Sequence, residues 1–416
     1  MITVSVIIVS YNVRYFLELA IHSVMRSLTD LSHEIIVVDN ASSDGSVEMV
    51  RDKFPGVSLI VNRENTGFAC ANNRALEKAQ GKYIFLVNPD TVIGEDTIST
   101  LLQGFDRSPD TGMIGCRILN PDGSLQLSCR RSFPTPWVAF TRLSGLSLLF
   151  PGSRLFGRYN LTYLNPDEPA EIDALSGSFM AVRREVIETV GKLDERFFMY
   201  GEDLDWCYRI KKYGWKIVYD PAVSIIHFKG ESARQNSMDS LKYFYEAMLL
   251  FTEKHFQPDH SSVPLWLLKT AIRVRERFGV LLHAGRSLLP RFSRLKSAPK
   301  LAIVGTDRNN RELYSVLMNS PAFRDRIAGL VGINGTPKTK ESPPVLGKIG
   351  EIERIVRKKS ISGLVFSSSG HPYSRMIDTV LRCRRLKAGL FLVPEGNEVM
   401  IGSSGIIHIG IAGAAV

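Results

Sequence analysis

Polar residues follow each of four short apolar runs in the first hundred residues. The runs span positions 4–9, 34–38, 57–61 and 83–87, and they are followed by Ser10-Tyr11-Asn12, Asp39-Asn40, Asn62-Arg63 and Asn88-Pro89-Asp90. Such runs are typical of strands buried on both faces of a parallel sheet, and ligands bind at the carboxyl ends of those strands. Each polar group alone could be a turn. The four together predict a binding site in which two carboxylates, a cation and several amides meet.

Two of these carboxylates suit a nucleotide diphosphate. Asp90 is a candidate ligand for Mg²⁺ or Mn²⁺, because such ions are held by carboxylate and phosphate oxygens, and the ion would offset charge on a leaving diphosphate. Asp39 could accept hydrogen bonds from a base or a ribose. Asn65, Gly67 and Asn72 stand in the run NTGFACANN, at and after the start of a predicted helix. Gly67 permits close backbone approach, and a helix amino terminus favours phosphate.

A second cluster, Gly201-Glu202-Asp203-Leu204-Asp205, places three carboxylates at the start of a helix predicted over about 203–213. Acids in a first turn are stabilised by the helix dipole, so capping is one interpretation. Capping needs only one acid, and the residues before the cluster are aromatic. This pattern favours a site in which a carboxylate is the general base for an attacking hydroxyl. Asp205 and Arg209 are four residues apart and could pair on the helix surface.

His227 follows the apolar run 223–226 and precedes a loop with Lys229, Gly230, Glu231 and Ser232. A histidine at a strand end is often structural. The Asp90 hypothesis lacks a second metal ligand, however, and a histidine here could supply it.

Elements alternate along the chain in two separate stretches. In the first, helices are predicted over about 14–28, 45–53 and 68–79 between the four runs, which is a βαβαβ pattern. Around 170–230 the pattern indicates short strands and one helix, and 237–257 is predicted to be helical. The pattern restarts at Lys300, with strands predicted at 301–304, 329–333, 363–366 and 389–393. Its first turn, Gly305-Thr306-Asp307-Arg308, lacks two glycines of a dinucleotide fingerprint, so bound NAD is not expected.

The 416 residues carry 52 Lys and Arg against 42 Asp and Glu, a net charge of +10. Globular composition excludes disorder, collagen and a simple coiled coil, and five scattered cysteines without a CxxC pair favour a reducing compartment. The amino terminus is predicted to be a strand and not a signal peptide.

The stretch from His260 to Lys300 contains nine basic residues and a single acid. Interleaved Leu and Trp favour an amphipathic helix at an anionic membrane, with a solvated helix as the alternative. Nucleic acid is not expected, because no binding signature accompanies the charge.

The sequence resembles the rhamnosyltransferase-like branch of the family 2 glycosyltransferases, which have a GT-A fold. The resemblance covers about residues 1–232 and rests, in chain order, on VSVIIVSYN, IIVVDNASSDGS, NTGFACANN, YIFLVNPDT, GSFMAVRRE, LDERFFMYGEDLDWCYRI and IIHFKGES. It implies an inverting enzyme that uses a nucleotide-diphospho-sugar and a divalent metal, Mg²⁺ or Mn²⁺.

The resemblance also implies roles for single residues. The nucleotide-binding aspartate of the family falls on Asp39. Its DxD metal motif falls on Asn88-Pro89-Asp90, where Asn88 replaces the first acid, so that Asp90 carries the metal with His227. Its Glu-Asp motif falls on Glu202-Asp203, with Asp203 as the base. The donor site is then expected to contain Ser10, Tyr11, Asn12, Asp39, Asn65, Gly67, Asn72, Asn88 and Asp90, with residues 177–180 facing donor and acceptor.

Residues 300–416 resemble the Rossmann-like region that precedes the catalytic part of polyprenyl glycosylphosphotransferases. The likeness lies in LAIVGT, LVGING, PVLGKIGEI, GLVFSSS and LFLVPEG. No catalytic cluster is evident, since Asp307, His371 and Glu395 each stand singly. The unit is expected to fold separately and to bind a protein partner or regulate, with an inert remnant of a longer protein as the alternative.

The sequence therefore predicts an α/β protein: a GT-A domain over 1–258, a basic linker over 259–299 and a Rossmann-like domain over 300–416. The expected function is transfer of a sugar, with rhamnose favoured, to a hydroxyl of a polyprenyl-diphosphate-linked glycan in polysaccharide synthesis. The expected location is cytoplasmic, peripheral at the inner face of the cell membrane. Two alternatives are a non-catalytic nucleotide-sugar-binding scaffold and a nucleotidyltransferase, which would release pyrophosphate.

Overall fold

The computed structural model describes residues 2–229, 237–255, 269–270, 272–275, 300–305, 308–332, 344–368, 371–394, 396, 399–402 and 405–409. The described residues therefore exclude most of the predicted basic linker and the loop that begins at Gly230. They also exclude Asp307 and Glu395. No helix within the described residues is both long enough and apolar enough to cross a membrane.

The amino-terminal part contains eleven described strands and nine described helices. The strands are β1 Val4–Ser10, β2 His33–Asp39, β3 Ser58–Val61, β4 Tyr83–Val87, β5 Thr91–Val92, β6 Thr111–Leu119, β7 Arg130–Arg131, β8 Ala170–Glu171, β9 Ala174–Leu175, β10 Phe179–Arg183 and β11 Lys216–His227. The helices are α1 Arg14–Ser27, α2 Ser46–Lys53, α3 Phe68–Leu76, α4 Thr97–Arg107, α5 Pro136–Leu143, α6 Leu146–Leu149, α7 Arg184–Val190, α8 Glu202–Lys212 and α9 Ser237–His255.

The main sheet has the strand order β3-β2-β1-β4-β10-β6-β11-β5, with β8 on the side of β11. Strands β1 to β4 pair in parallel, and β1 is buried along its whole length because helices cover both faces. The predicted βαβαβ unit is confirmed. Strand β10 enters antiparallel between β4 and β6, and its reversal places residues 176–178 beside the carboxyl end of β4.

A second sheet forms the carboxyl-terminal part, with the order β14-β13-β12-β15-β16-β17-β18. Its strands are β12 Leu301–Val304, β13 Ile327–Gly332, β14 Val345–Lys348, β15 Gly363–Ser367, β16 Gly389–Val393, β17 Val399–Gly402 and β18 Gly405–His408. Its helices are α10 Arg308–Asn319, α11 Ile352–Lys359 and α12 Tyr373–Cys383. The first five strands in this order are parallel, and β17 and β18 are antiparallel additions.

The two sheets share a packed boundary. The Glu95 carboxylate accepts hydrogen bonds from the backbone N–H groups of Tyr373 and Ser374, at 2.9 and 3.0 Å, and pairs with Arg26 at 3.0 Å. One apolar cluster includes Phe16 and Phe228 together with core residues of the second sheet. The separate folding of residues 300–416 stays a prediction, and removing them would expose this cluster.

The first turn of the second sheet is filled by its own side chains. A Cβ atom at Gly305, where φ is +127°, would lie 2.2 Å from Asn310 Nδ2 and 2.4 Å from His371 Nε2. His371 is buried beside Asn310, so the expectation that it stands singly is wrong. These side chains take the space in which a dinucleotide pyrophosphate would approach the glycine.

Candidate functional site

The carboxyl ends of β1 and β2 form a pair of buried acceptors. Ser10 and Asp39 are neighbours in the parallel register, and both are almost completely buried. Asp39 Oδ2 accepts from the Ser42 backbone N–H at 2.8 Å, while Asp39 Oδ1 and Ser10 Oγ have no hydrogen-bond partner among the described residues. Buried polar atoms are normally paired, so these two atoms suit the hydrogen-bond groups of a base or ribose.

The loops around this edge are locked by side-chain hydrogen bonds. Asn40 Nδ2 donates to Asn65 Oδ1 at 3.0 Å, and Asn12 Oδ1 accepts from the Ser43 backbone N–H at 2.7 Å. Asn12 and Ala41 both have a positive φ, of 52° and 65°. Left-handed backbone at residues other than glycine is uncommon and gathers at functional sites.

The structure places protein backbone against Gly67. A Cβ atom there would lie 2.5 Å from the carbonyl oxygen of Phe198, which accepts from the Phe68 N–H at 2.8 Å. Asn72 Nδ2 donates to the Phe68 carbonyl at 2.8 Å within its own helix. The close approach predicted at Gly67 is therefore to the segment before α8. Donor binding by Gly67, Asn72, Tyr11 and Asn65 stays a prediction.

Asp90 and His227 meet, although 137 positions separate them in the sequence. Strand β5 pairs antiparallel with the end of β11, opposing His227 to Thr91, and the Phe228 N–H donates to the Asp90 carbonyl at 2.9 Å. This backbone pairing brings His227 Nε2 to 3.0 Å from Asp90 Oδ1, with both side chains more than nine-tenths buried. Asn88 Nδ2 lies 3.5 Å from the same nitrogen.

Gln126 fixes the orientation of His227. Its Oε1 lies 3.0 Å from His227 Nδ1, and its Nε2 donates to the His227 carbonyl at 2.8 Å. With the proton on Nδ1 donated to Gln126, the Nε2 lone pair faces Asp90. A partner on the distal nitrogen is the usual second requirement of a metal-binding histidine.

This pair fits a hard divalent cation that is shared with a substrate. Two cis ligands about 2.1 Å from an octahedral ion lie about 3.0 Å apart, which matches the separation of Asp90 Oδ1 and His227 Nε2. No group of three or more acidic, histidine or cysteine side chains suited to a metal occurs among the described residues. The protein thus offers two ligands, and phosphate oxygens would have to complete the site, as is common for Mg²⁺.

The three carboxylates at the start of α8 lie in three different environments. Asp205 is fully buried and bonds Arg209 Nε at 2.9 Å, Lys254 Nζ at 2.6 Å and His255 Nε2 at 2.7 Å. Burial opposes its charge, but these partners hold the pKa of Asp205 below its usual value. The predicted Asp205–Arg209 pair forms, yet its carboxylate is buried and not on the surface. Asp205 fastens α8 to α9.

Asp203 is the acceptor of a buried ion pair. Its Oδ2 receives Arg131 Nη2 at 2.6 Å and the Gly177 N–H at 3.0 Å, and its Oδ1 receives the Leu204 N–H at 2.7 Å. Burial alone would lower the pKa of Arg131, but the Asp203 carboxylate raises it above its usual value. Three of the roughly four acceptor positions of a carboxylate are used, which orients the remaining one on Oδ1.

Glu202 is the proton-bearing member of the group. Burial, and then the charge of Asp203, raise its pKa from 4.5 to about 8, and its Oε2 has no hydrogen-bond partner among the described residues. A carboxyl group whose environment raises its pKa, beside a second carboxylate, is typical of acid–base sites. At neutral pH this environment keeps Glu202 neutral.

Glu202→Gln is expected to change how stability depends on pH. The folded-state pKa of Glu202 exceeds the unfolded one, so the wild type loses stability as pH rises from about 4.5 to 8. The variant lacks this loss, and its melting temperature should therefore gain on that of the wild type across this window. If the difference in melting temperature between the variant and the wild type is the same at pH 5 and at pH 8, the raised pKa of Glu202 is wrong. In an Asp203→Asn background the difference should shrink, because one of the two causes is removed.

Short contacts connect the two clusters. The Gly177 N–H donates to Asp203, and the neighbouring Ser178 carbonyl accepts from the Asn88 N–H at 2.9 Å. Asn88 in turn lies against His227. The predicted base, metal ligands and region 177–180 thus occupy one edge of the sheet. Arg131 and Gln126 were not predicted. No sequence signal marked either residue for the site.

Comparison with known proteins agrees with this architecture. The sequence model described as glycosyl transferase family 2 matches residues 5–191. The amino-terminal region therefore matches the sequence pattern of this family, and the predicted GT-A class with a second, smaller α/β part is confirmed. The match ends before α8, so Glu202, Asp203 and His227 lie beyond it.

Named relatives extend the likeness further along the chain. The N-acetylglucosaminyl-diphospho-decaprenol L-rhamnosyltransferase of Mycobacterium tuberculosis is 28% identical over 270 residues, which are 62% of this chain and 87% of the relative. The rhamnosyltransferase WbbL of Escherichia coli is 25% identical over 54% of this chain and 83% of its own. The mannosyltransferase PcManGT from Pyrobaculum calidifontis, solved with GDP-Man and Mn²⁺, covers 78% of this chain and 82% of its own at 16% identity and a TM-score of 0.43.

Proposed function

We propose that this protein is an inverting glycosyltransferase that moves a sugar from a nucleotide-diphospho-sugar to a hydroxyl of a polyprenyl-diphosphate-linked glycan. The observation that carries the proposal is the short connection from Asp203 through residues 177–178 to Asn88, Asp90 and His227. A proton acceptor and a diphosphate site then lie on one sheet edge, as direct displacement requires. The activity named for the Mycobacterium tuberculosis relative favours rhamnose and a lipid-linked acceptor.

In the proposed mechanism the acceptor hydroxyl attacks the anomeric carbon from the side of Asp203. The bond from that carbon to the diphosphate oxygen breaks on the opposite face, and the Asp203 carboxylate takes the hydroxyl proton. Arg131 balances the charge of Asp203 and holds its orientation, while neutral Glu202 adds no repulsion. Asp90 and His227 would hold Mg²⁺ or Mn²⁺, which when bound offsets charge on the diphosphate. Ser10 and Asp39 would receive the nucleoside.

The donor can be identified by thermal shift of the full chain. A ligand that binds only the folded state raises the free energy of unfolding, by about 2.7 kcal/mol when its concentration is a hundred times the dissociation constant. The melting temperature rises as a result. We expect dTDP-rhamnose with Mn²⁺ to give a rise that is lost in Asp39→Asn. If none of a panel of nucleotide sugars raises the melting temperature, the proposed donor site is wrong.

The same screen leaves two other functions to be separated by product analysis. A non-catalytic scaffold would bind the donor without consuming it. A nucleotidyltransferase would attack the α-phosphate and release pyrophosphate, whereas the proposed reaction releases a nucleoside diphosphate. The geometry favours transfer over a scaffold, because a sugar-binding protein has no need for a buried, Arg-oriented carboxylate beside the diphosphate site.

The membrane and the second α/β part complete the proposal. A lipid-linked acceptor requires contact with the cytoplasmic face of a membrane, which the basic segment between His260 and Lys300 favours.

The carboxyl-terminal part is proposed to bind a protein partner or to regulate the enzyme, without catalysing a reaction. A chain ending near Ser297 should then still glycosylate a short synthetic acceptor. A folded truncation without that activity would place the second part in the catalytic machinery.

A further inference from the structure

Six large apolar side chains stand exposed within nineteen residues of α5, α6 and the loop after them. Leu148 and Leu149 are each 72% exposed, and Phe140, Phe150 and Leu155 are more than half exposed; Trp137 is 44% exposed. Single exposed apolar residues are common on proteins, but a contiguous group indicates an interaction surface. We call these six residues the apolar platform.

The platform is held in shape by its own contacts. The Trp137 ring lies 5.7 Å from Phe140 and 6.2 Å from Phe156, and Phe150 lies 5.5 Å from Phe156. Trp137 Nε1 donates to the Leu155 carbonyl at 3.2 Å. The exposed side chains thus project from an ordered base, which lowers the entropy lost when a partner is bound.

The stretch of chain that carries the platform has charges of one sign only. Between Asp122 and Asp167 the chain contains five arginines, no lysine and no acid. Arg142, Arg154 and Arg158 are exposed beside the platform, and the first two lie 5.5 and 5.9 Å from the rings of Tyr159 and Tyr163. Apolar side chains ringed by arginines match the layered chemistry of a membrane surface, with anionic headgroups above acyl chains.

The platform is continuous with the described part of the basic segment. Ile272 packs in one cluster with Ala139 of α5 and Tyr245 of α9. Lys269 pairs with Glu253 at 2.8 Å, and Tyr245 Oη donates to the Arg275 carbonyl at 3.4 Å. Helix α5 also begins five residues after Arg131, the partner of Asp203. Helix α5 therefore packs against the described part of the positive segment and follows closely in the chain after the arginine partner of Asp203.

We propose that the apolar platform inserts into the headgroup and acyl boundary of an anionic membrane and there positions the site over its lipid-linked acceptor. The inference rests on the proposed function for the identity of the acceptor, but insertion itself does not require turnover. A protein partner or a second copy of this chain would match the apolar residues equally well. The exposed arginines of this acid-free stretch favour an anionic lipid surface.

Vesicle flotation of the full chain tests the proposal. On vesicles of phosphatidylcholine with phosphatidylglycerol, Leu148→Ser with Leu149→Ser should lower the bound fraction at least about tenfold. The matched control, Met25→Ser with Tyr213→Ser, changes two side chains that are 45% and 62% exposed elsewhere, and it should bind like the wild type. Replacing Arg142, Arg154 and Arg158 by Gln should lower binding to the anionic vesicles and reduce its dependence on salt.

Other readouts keep the outcomes distinct. All variants should melt like the wild type and retain transfer to a short soluble acceptor, while the double leucine variant loses transfer to an acceptor embedded in vesicles. Unchanged flotation of that variant would overturn the proposal. The proposal would also be overturned if the wild type did not float with vesicles, sedimented as a dimer, and dissociated when the two leucines were replaced. The platform would then be an interface between copies of this chain. If the wild type transfers no sugar to the short soluble acceptor, the proposed function is wrong, whatever the flotation result.

Discussion

Asp203→Asn is expected to lower turnover about 100-fold or more while donor binding persists, because a lost general base has an effect on this scale. The substitution keeps the shape of the side chain and the hydrogen bond from the Gly177 N–H, so the fold should survive. It leaves the buried Arg131 guanidinium without its charge partner, and some loss of stability is expected as well. Initial rates at saturating donor and acceptor, measured beside melting temperatures, separate the two effects.

Asp220→Asn provides the matched control for this prediction. Asp220 is also buried and pairs with an arginine, Arg107, at 3.2 Å, but it lies outside the proposed site. It should cost stability and leave turnover near normal. If Asp203→Asn is equally active, Asp203 is not the base. Glu202, the other carboxyl group at Gly177, would then be tested by Glu202→Gln.

Removing divalent metal is expected to abolish transfer, and Mn²⁺ or Mg²⁺ should restore it. The reason is that Asp90 and His227 would hold the ion, and its charge would offset that of the leaving diphosphate. Asp90→Asn should weaken Mn²⁺ binding in the presence of nucleoside diphosphate, which electron paramagnetic resonance measures without any turnover. Full activity in a chelated, metal-free sample would contradict the metal site.

Gln126→Leu refines the same prediction. It leaves both proposed ligands in place and removes the partner of His227 Nδ1. Loss of such a partner typically weakens metal affinity about 10- to 100-fold. The metal concentration for half-maximal activity should therefore rise, while the rate at saturating metal stays close to that of the wild type. A lower rate that excess metal does not restore would mean that Gln126 acts on the fold alone.

Much of the central sheet could be predicted, because its strands are continuous apolar runs that end in polar residues. Strand β1, for example, is predicted at 4–9 and observed at Val4–Ser10. Strand β6 was not predicted, and β10 was indicated only as one of several short strands around 170–230. Strand β10 reverses direction between two parallel strands, and its pairing depends on tertiary contacts that local patterns do not contain.

The site residues at strand ends could be proposed from the sequence, but their electrostatics could not. Glu202, Asp203 and Asp205 look equivalent in the sequence. In the structure Asp205 pairs with three basic side chains, and Asp203 pairs with Arg131. Glu202 is buried without such a partner among the described residues, and its pKa is raised. These differences come from α9 and β7, which lie far away along the chain. The family resemblance, in contrast, already distinguished Asp203 as the base, and that assignment still awaits experiment.

Phosphorus NMR of the full chain with dTDP-rhamnose, Mn²⁺ and a polyprenyl-diphosphate-linked acceptor can follow the proposed sugar transfer and identify its phosphorus-containing product. The spectrum distinguishes the intact nucleotide sugar, a free nucleoside diphosphate and pyrophosphate in one sample. We expect nucleoside diphosphate to appear in step with glycosylated acceptor, and both to form about 100-fold or more slowly with Asp203→Asn. Pyrophosphate as the product, or a nucleotide sugar that binds but stays unconsumed with every acceptor and donor supplied, would contradict it.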